Sequence, residues 1–209
     1  MKKLLALLLA ISMLLCFAAC GESEDKDKDE NKGDKNESTS QKEDSSSKKD
    51  DSIYAESYEE FMDNMCKFYA GDADMYKTCF PIAYWNYILE QEETNEKAVI
   101  EELETQFADS TASMEEQFGK NLEYKVETVS KEKLSNEEIE KMGAALNSYC
   151  DIIEADLLTD GYKSVVKATV KGDKAQESND TECYIVEYDG YWYSIRYFEE
   201  DGKAFFREP

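Results

Sequence analysis

The sequence predicts an α+β fold in which helices come first and an antiparallel sheet follows. Apolar residues recur at helical spacing from residue 54 to residue 118, whereas after Leu122 they mostly alternate with polar residues. Asp189-Gly190 separates two aromatic-rich runs, and this dipeptide is the strongest short hairpin signal in such a setting. Together these observations indicate a single α+β domain at residues 53–209.

The first helix is predicted from Tyr54 to Tyr69, with Gly71 as its stop signal. Ser52 or Ser57 would cap its start. Its apolar face is formed by residues at the i, i+4, i+7 spacing, namely Tyr54, Tyr58, Phe61, Met62, Met65, Phe68 and Tyr69. This stripe predicts a long amphipathic helix that packs on an apolar surface.

Two more helices are predicted before the first strand. A short helical turn at residues 72–80 is followed by Pro81, which is expected as the first residue of the second helix. The third helix is predicted to begin after Thr94 or Asn95 and to end at Gly119. The first half of the domain is therefore predicted to be helical throughout.

The second half of the domain is predicted to contain one helix among several strands. Residues 122–126 alternate as a half-buried strand, and the capping box at residues 135–138 opens a helix. Four residues of that helix are predicted to face the core: Ile139, Met142, Leu146 and Tyr149. The remaining predicted segments are a short strand at 155–158, a turn at Asp160-Gly161, a strand at 163–171 with its lysines on one side, a polar loop at 172–180, hairpin strands at 183–188 and 191–198, and a last strand or fold-back at 204–206.

The N-terminus has the layout of a secretory signal, with a cationic head at residues 1–3 and a nearly unbroken apolar run from Leu4 to Ala19. A transmembrane helix needs about 20 apolar residues, and this run of 16 is shorter. The prediction is a cleaved signal. An uncleaved membrane anchor, or an ordinary secretory signal cleaved near Ala19, are the alternatives.

Phe17-Ala18-Ala19-Cys20 resembles the lipobox of bacterial lipoproteins. Cys16 fits that pattern less well because two bulky leucines precede it. The resemblance implies that residues 1–19 are the signal peptide and that Cys20 carries the lipid anchor, a diacylglyceryl group with palmitate-type chains. Two acyl chains give stable membrane attachment, whereas one chain binds only marginally. The chain is accordingly expected on the extracytoplasmic face of the cell membrane.

Residues 20–52 are expected to form a disordered acidic tether behind the lipidated cysteine. From residue 21 to residue 52 there are 12 acids and 7 lysines and no aromatic or large aliphatic residue. Such a composition cannot bury enough apolar surface to offset the entropy of ordering. As a flexible coil, these residues would reach roughly 30 Å.

The charge and composition exclude several classes of function. Residues 53–209 contain 36 acids and 15 basic residues, and this negative field repels nucleic acid. Cations, basic peptides or basic wall polymers fit the charge better. The sequence has no histidine, which removes histidine-based triads and most zinc sites. We therefore expect neither a metal nor another cofactor.

Four cysteines remain after the anchor, an even number in an oxidising compartment: Cys66, Cys79, Cys150 and Cys183. Their spacing matches no metal motif. Three disulfide connectivities are open, and the pairs Cys66–Cys79 and Cys150–Cys183 are favoured because each joins neighbouring elements. Four buried thiols are the alternative.

The order of elements resembles the cone-shaped fold of the nuclear-transport-factor-2-like superfamily, and in particular lipoproteins of Gram-positive bacteria with such a domain. The resemblance rests on the lipobox, the acidic tether, the helix from Tyr54 to Tyr69 with the following residues 71–74, and the run Tyr188-Asp189-Gly190-Tyr191-Trp192-Tyr193. It implies a curved antiparallel sheet wrapped around a helix, with a pocket between them.

The resemblance also suggests which residues could line that pocket. Tyr184, Trp192, Tyr193 and Arg196 lie on the predicted terminal hairpin and are the candidate pocket residues. An arginine among aromatic rings could hold a carboxylate ligand. An isomerase-like site would also need an acid against these rings, and the candidates are Asp63, Asp72, Asp74 and Glu187.

The favoured function is a non-catalytic module that binds a small molecule, a peptide or an envelope protein at the cell surface. A structural role with a homodimer formed through an exposed sheet face is one alternative. An isomerase-like enzyme with a carboxylate and tyrosine pocket is the other, and the sequence favours it less because no carboxylate stands at a recognisable catalytic position. An enzyme is thus not expected.

Overall fold

The computed structural model describes residues 53–198 and 200–207. The predicted signal at 1–19, the lipid site at Cys20 and the tether at 20–52 lie outside these residues. Within them the predicted α+β class is confirmed, with helices followed by a curved antiparallel sheet. None of the helices in this part of the chain is long and apolar enough to cross a membrane.

Most of the helices begin where a side chain caps them. They are α1 (Tyr58–Tyr69), a 3-10 helix (Ala73–Cys79), α2 (Ile82–Gln91), α3 (Glu96–Phe118), α4 (Asn136–Tyr149) and a second 3-10 helix (Ala155–Leu157). Ser57, Asn95 and Ser135 each accept a backbone N–H from the first turn of α1, α3 and α4. The capping box at Ser135 is complete, because the Glu138 side chain accepts the Ser135 N–H in return.

The strands form one sheet whose spatial order follows the chain. They are β1 (Glu123–Lys133), β2 (Leu158–Lys171), β3 (Gln176–Tyr188), β4 (Tyr191–Phe198) and β5 (Lys203–Phe206). Every neighbouring pair is antiparallel. The predicted β3–β4 hairpin is confirmed, with positive φ angles of 50° at Asp189 and 81° at Gly190. Positive φ at both turn residues is what a tight hairpin of this twist requires.

Several predicted segments are wrong in type. The segment predicted as a strand at 155–158 is mainly the second 3-10 helix. Asp160-Gly161 is no turn, because both residues lie inside β2 beside a register shift. Residues 176–180, predicted as part of a polar loop, belong to β3 and pair with β2. Local turn signals were overridden here by pairing with a neighbouring strand.

Two other predictions misplaced side chains or ends. The first helix starts four residues later than predicted, and the preceding Tyr54 packs against Tyr191 and Tyr193 of the sheet. Tyr149, predicted to face the core, is 57% exposed. It is the last residue of α4, so its side chain extends past the edge of the surface that the helix covers.

Alternate residues of β3 and β4 point to opposite faces of the sheet, and each face has its own covering helix. On the face we call the α1 face, Cys183, Ile185 and Trp192 pack with α1. On the face we call the α4 face, the intervening side chains pack with α4, α2 and the 3-10 helices: Tyr184, Val186, Tyr188, Tyr193 and Ile195. The two faces therefore bury separate sets of side chains.

Candidate functional site

An apolar groove opens on the α1 face where α1, α3, β1 and β2 meet. The enclosed space is small, about 20 Å³, which is room for about one water molecule, and the rest of the depression is open to solvent. The groove is therefore a shallow apolar surface and not an enclosed pocket of the usual small-molecule size. Its walls are Tyr69 of α1, Met114 of α3, Tyr124, Lys125 and Val126 of β1, and Ala168, Thr169 and Val170 of β2.

The groove exists because one wall residue is small. Val166, Ala168 and Val170 follow one another along the α1 face of β2, since alternate residues of a strand share a face. Val166 packs under α1 and Val170 packs under the end of α3. Ala168 lies between them and fills less space than either valine. The small residue within a row of valines was the signal from which the groove could have been predicted.

Polar contacts at the groove are few. The Tyr124 hydroxyl lies 3.3 Å from Met114 Sδ and donates to it across the groove. Burial, together with the nearby Glu115 carboxylate, raises the pKa of Tyr124 above its ordinary value, so this hydroxyl is neutral. The ammonium of Lys125 is held by Glu127 at 2.8 Å. The groove thus offers almost wholly apolar surface, which suits an uncharged apolar ligand.

The four residues predicted to line a pocket on the terminal hairpin do not converge. Tyr184 and Tyr193 are buried on the α4 face, whereas Trp192 is buried on the α1 face. Arg196 is exposed. Trp192 and Tyr193 are neighbours in β4, and successive side chains of a strand point to opposite faces of the sheet. Tyr193 is only 1% exposed and packs against Tyr188 and Phe206.

Trp192 belongs to an aromatic cluster with Tyr58 of α1 and Tyr162 of β2. Its ring stacks on Tyr162 at 5.8 Å and meets Tyr58 edge-on at 5.9 Å. The Lys131 ammonium lies over the same cluster, 4.3 Å from the Tyr58 ring centre and 4.9 Å from that of Tyr162. The Tyr58 hydroxyl donates to the buried Ser164 Oγ at 3.2 Å. The cluster is filled by the protein's own side chains and joins α1 to the sheet.

None of the candidate acids is buried, although Glu187 is the cross-strand neighbour of the buried Trp192. Asp63, Asp72 and Asp74 are exposed, and Glu187 is half-buried. The buried polar residues of the described chain are Asn64, Thr78, Ser164 and Ser194, and none of these is an acid. In the same residues no group of three histidine, cysteine or acidic side chains is placed to hold a metal ion.

The cysteines at 66, 79, 150 and 183 are thiols in the structure, and neither predicted disulfide is formed. Cys150 packs on the α4 face and Cys183 on the α1 face, so the sheet separates them. Cys66 Sγ donates to the Tyr124 carbonyl at 3.4 Å, whereas Cys79 is buried in the core of the α4 face. Closeness along the chain was a poor guide for Cys150 and Cys183 because they lie on opposite faces of the sheet.

In comparisons with known proteins, no family model, no curated protein and no solved structure matches the chain.

Proposed function

We propose that the chain is a membrane-anchored extracytoplasmic lipoprotein whose α+β domain is a non-catalytic binding module. The anchor is proposed at Cys20, on the strength of the apolar run and the Phe17-Ala18-Ala19-Cys20 sequence. The tether at residues 20–52 would then hold the domain away from the bilayer. We also propose that the domain is a cone of the nuclear-transport-factor-2-like type, since helices precede a curved antiparallel sheet.

The observation that carries the binding role is the apolar groove between α1, α3 and the sheet. In the proposed fold type a pocket lies between helix and sheet, and the groove occupies that position. Its surface is almost wholly apolar, although Tyr69, Tyr124, Lys125 and Thr169 are among the wall residues. We therefore propose an apolar group, carried by a ligand or by a larger partner that lies over the groove, as its occupant.

Filling the groove tests this role. The chain from residue 20 onward is prepared with Cys20→Ser, so that no acyl chain competes, and is titrated with the neutral fluorophore N-phenyl-1-naphthylamine. Ala168→Phe places a ring inside the groove and should abolish the fluorescence increase that the parent chain gives. Ala112→Phe adds the same ring on the exposed side of α3 and should leave binding unchanged.

Equal binding by the parent chain and Ala168→Phe would place the probe elsewhere and overturn the groove as the binding site. Circular dichroism of each variant shows whether the fold is retained. The anchor is tested separately by labelling cells with radioactive palmitate. Cys20→Ser should lose the label and Cys16→Ser should keep it, so a labelled Cys20→Ser chain would show that the wrong cysteine was chosen.

A further inference from the structure

Three aromatic rings form a continuous strip on the surface at the β5 edge of the sheet. We define the aromatic strip as Tyr149 at the end of α4, Phe205 of β5 and Phe198 at the end of β4. The ring centres of Tyr149 and Phe205 are 5.6 Å apart, and those of Phe205 and Phe198 are 5.9 Å apart. Tyr149 also lies close to the half-buried Tyr84 of α2, whose pKa it helps to raise alongside burial.

The two outer rings of the strip are exposed although they are large and apolar, and Phe205 between them is half-buried. Tyr149 is 57% exposed and Phe198 is 43% exposed. The other exposed large apolar residues of the described chain, Ile82 and Val129, have no ring contact with the strip. Isolated exposed apolar residues are ordinary, whereas a contiguous apolar surface with a polar rim marks an interaction site.

Aromatic rings on this protein already attract cations. The Arg196 guanidinium lies 5.9 Å from the ring centre of Phe198, within the strip itself. Lys131 over Tyr58 and Lys163 over Tyr184 repeat the arrangement elsewhere in the sheet. The face of an aromatic ring carries negative potential, and a lysine or arginine within about 6 Å is attracted to it.

The charge around the strip favours a basic occupant. Exposed acids lie at both ends of the strip: Asp151 is two residues beyond Tyr149, and Glu200 and Asp201 follow Phe198. Two cationic side chains, Arg196 and Lys203, also lie beside it, but the whole chain has a net charge of −24. Such a field raises the encounter rate with positively charged partners.

Two other occupants fit less well. A second copy of the chain would bring two molecules of charge −24 together, which opposes a close contact. The chain's own residues 21–52 contain 12 acids against 7 lysines and no aromatic residue, so they are neither basic nor apolar. We propose that the aromatic strip docks an arginine- or lysine-rich segment of a partner protein, with the cationic side chains stacked on the exposed rings.

The probe for this proposal is a fluorescein-labelled octa-arginine peptide, titrated by anisotropy at 150 mM salt against the chain from residue 20 with Cys20→Ser. Tyr149→Ser with Phe198→Ser removes two exposed rings without changing the charge, and affinity should fall about tenfold. Ile82→Ser with Val129→Ser removes two exposed apolar side chains elsewhere and should change affinity less than twofold. Tyr149→Phe with Phe198→Tyr keeps both rings and should bind as the parent does.

Equal affinity of the parent and the serine double variant would mean that net charge alone attracts the peptide, and the proposal would be overturned. A comparable loss in the Ile82 and Val129 control would overturn it as well. Sedimentation equilibrium of the parent and of the serine double variant tests whether a second copy of the chain occupies the strip. A parent dimer that the double variant does not form would assign the strip to self-association and overturn the proposal. Monomers in both proteins, together with the tenfold loss of peptide affinity, support a basic partner.

Discussion

The side chain of Cys183 shows how the sheet decides the chemistry of a single residue. It lies on the α1 face of β3, 7% exposed, among apolar neighbours. Burial raises the pKa of its thiol to about 11, although the positive charge of Arg207 acts in the opposite direction. The thiolate is the reactive form of cysteine, so a thiol with this pKa is inert near neutral pH. Cys183 is therefore a packing residue of the core.

The raised pKa of Cys183 predicts a pH dependence of stability. In the unfolded chain the thiol loses its proton near the ordinary value of 9.0, whereas in the folded chain it keeps the proton until about pH 11. The unfolded state therefore binds fewer protons between these values, and the free energy of unfolding falls as pH rises. Below about pH 9 the protonated Cys183 thiol makes its full contribution to the free energy of unfolding.

Cys183→Ala removes this titration and isolates its effect. The difference in the free energy of unfolding between the parent and Cys183→Ala should shrink by about 1 kcal/mol from pH 7.5 to pH 10. Urea unfolding followed by tryptophan fluorescence measures it at both values. The buried tyrosines titrate in both proteins and cancel in the comparison. A difference that stays constant would show that the folded protein ionises the thiol as readily as the unfolded chain.

The end of α3 lies in close contact with the β2–β3 turn. The Phe118 carbonyl at the end of α3 accepts the backbone N–H of Lys174 at 2.8 Å and of Ala175 at 3.2 Å. The turn therefore satisfies a carbonyl that the helix leaves without an internal partner. Gly172 makes this approach possible, because a Cβ atom there would lie 2.4 Å from the Phe118 carbonyl oxygen.

Gly172→Ala should destabilise the domain by about 2 kcal/mol or more, because backbone rather than a flexible side chain blocks the added methyl group. Gly190→Ala is the matched control. Gly190 has a positive φ of 81° but no atom within 4 Å of the added Cβ, so only backbone strain opposes it. That strain costs about 1–2 kcal/mol. Thermal unfolding of both variants compares the two effects, and a Gly172→Ala protein as stable as the parent would show that the turn moves freely away from α3.

Elements with a local signal could be predicted from the sequence, and elements defined by a partner could not. Asn95, Ser135 and the Asp189-Gly190 turn carry their signals in adjacent residues, and the structure confirms all three. The outer part of β3, by contrast, is polar on both faces and has no alternation to detect. Its residues 176–180 are strand because β2 supplies their hydrogen bonds. For the same reason, the candidate site moved from the hairpin aromatics to a groove that depends on how four elements meet.

At the scale of the whole molecule, two electrostatic effects oppose each other. On the α4 face of the sheet, lysines of β2 pair with acids of β1 and β3. The pairs are Lys163 with Glu182 at 3.1 Å, Lys167 with Asp180 at 3.9 Å and Lys171 with Glu123 at 3.5 Å. These pairs are exposed, and exposed pairs contribute little, about 0–1 kcal/mol each.

Repulsion among the acidic side chains opposes the attraction within these ion pairs. Residues 53–209 hold 36 acids and 15 basic residues, so most acids have no cation to pair with. Repulsion of this kind destabilises the compact state and is screened by salt, with a Debye length that falls from about 30 Å at 0.01 M to about 8 Å at 0.15 M. Because the repelling charges outnumber the paired ones, we expect repulsion to exceed the contribution of the ion pairs.

The protein should therefore become more stable as salt is added. The free energy of unfolding is expected to rise by about 1 kcal/mol between 10 mM and 300 mM sodium chloride, because screening weakens many long-range repulsions and only a few exposed attractions. Thermal unfolding at a series of chloride concentrations measures the slope. Lys167→Gln removes one attraction and one positive charge, so it should steepen the rise. A stability that falls with salt would show instead that the paired lysines of β2 dominate the electrostatics of the fold.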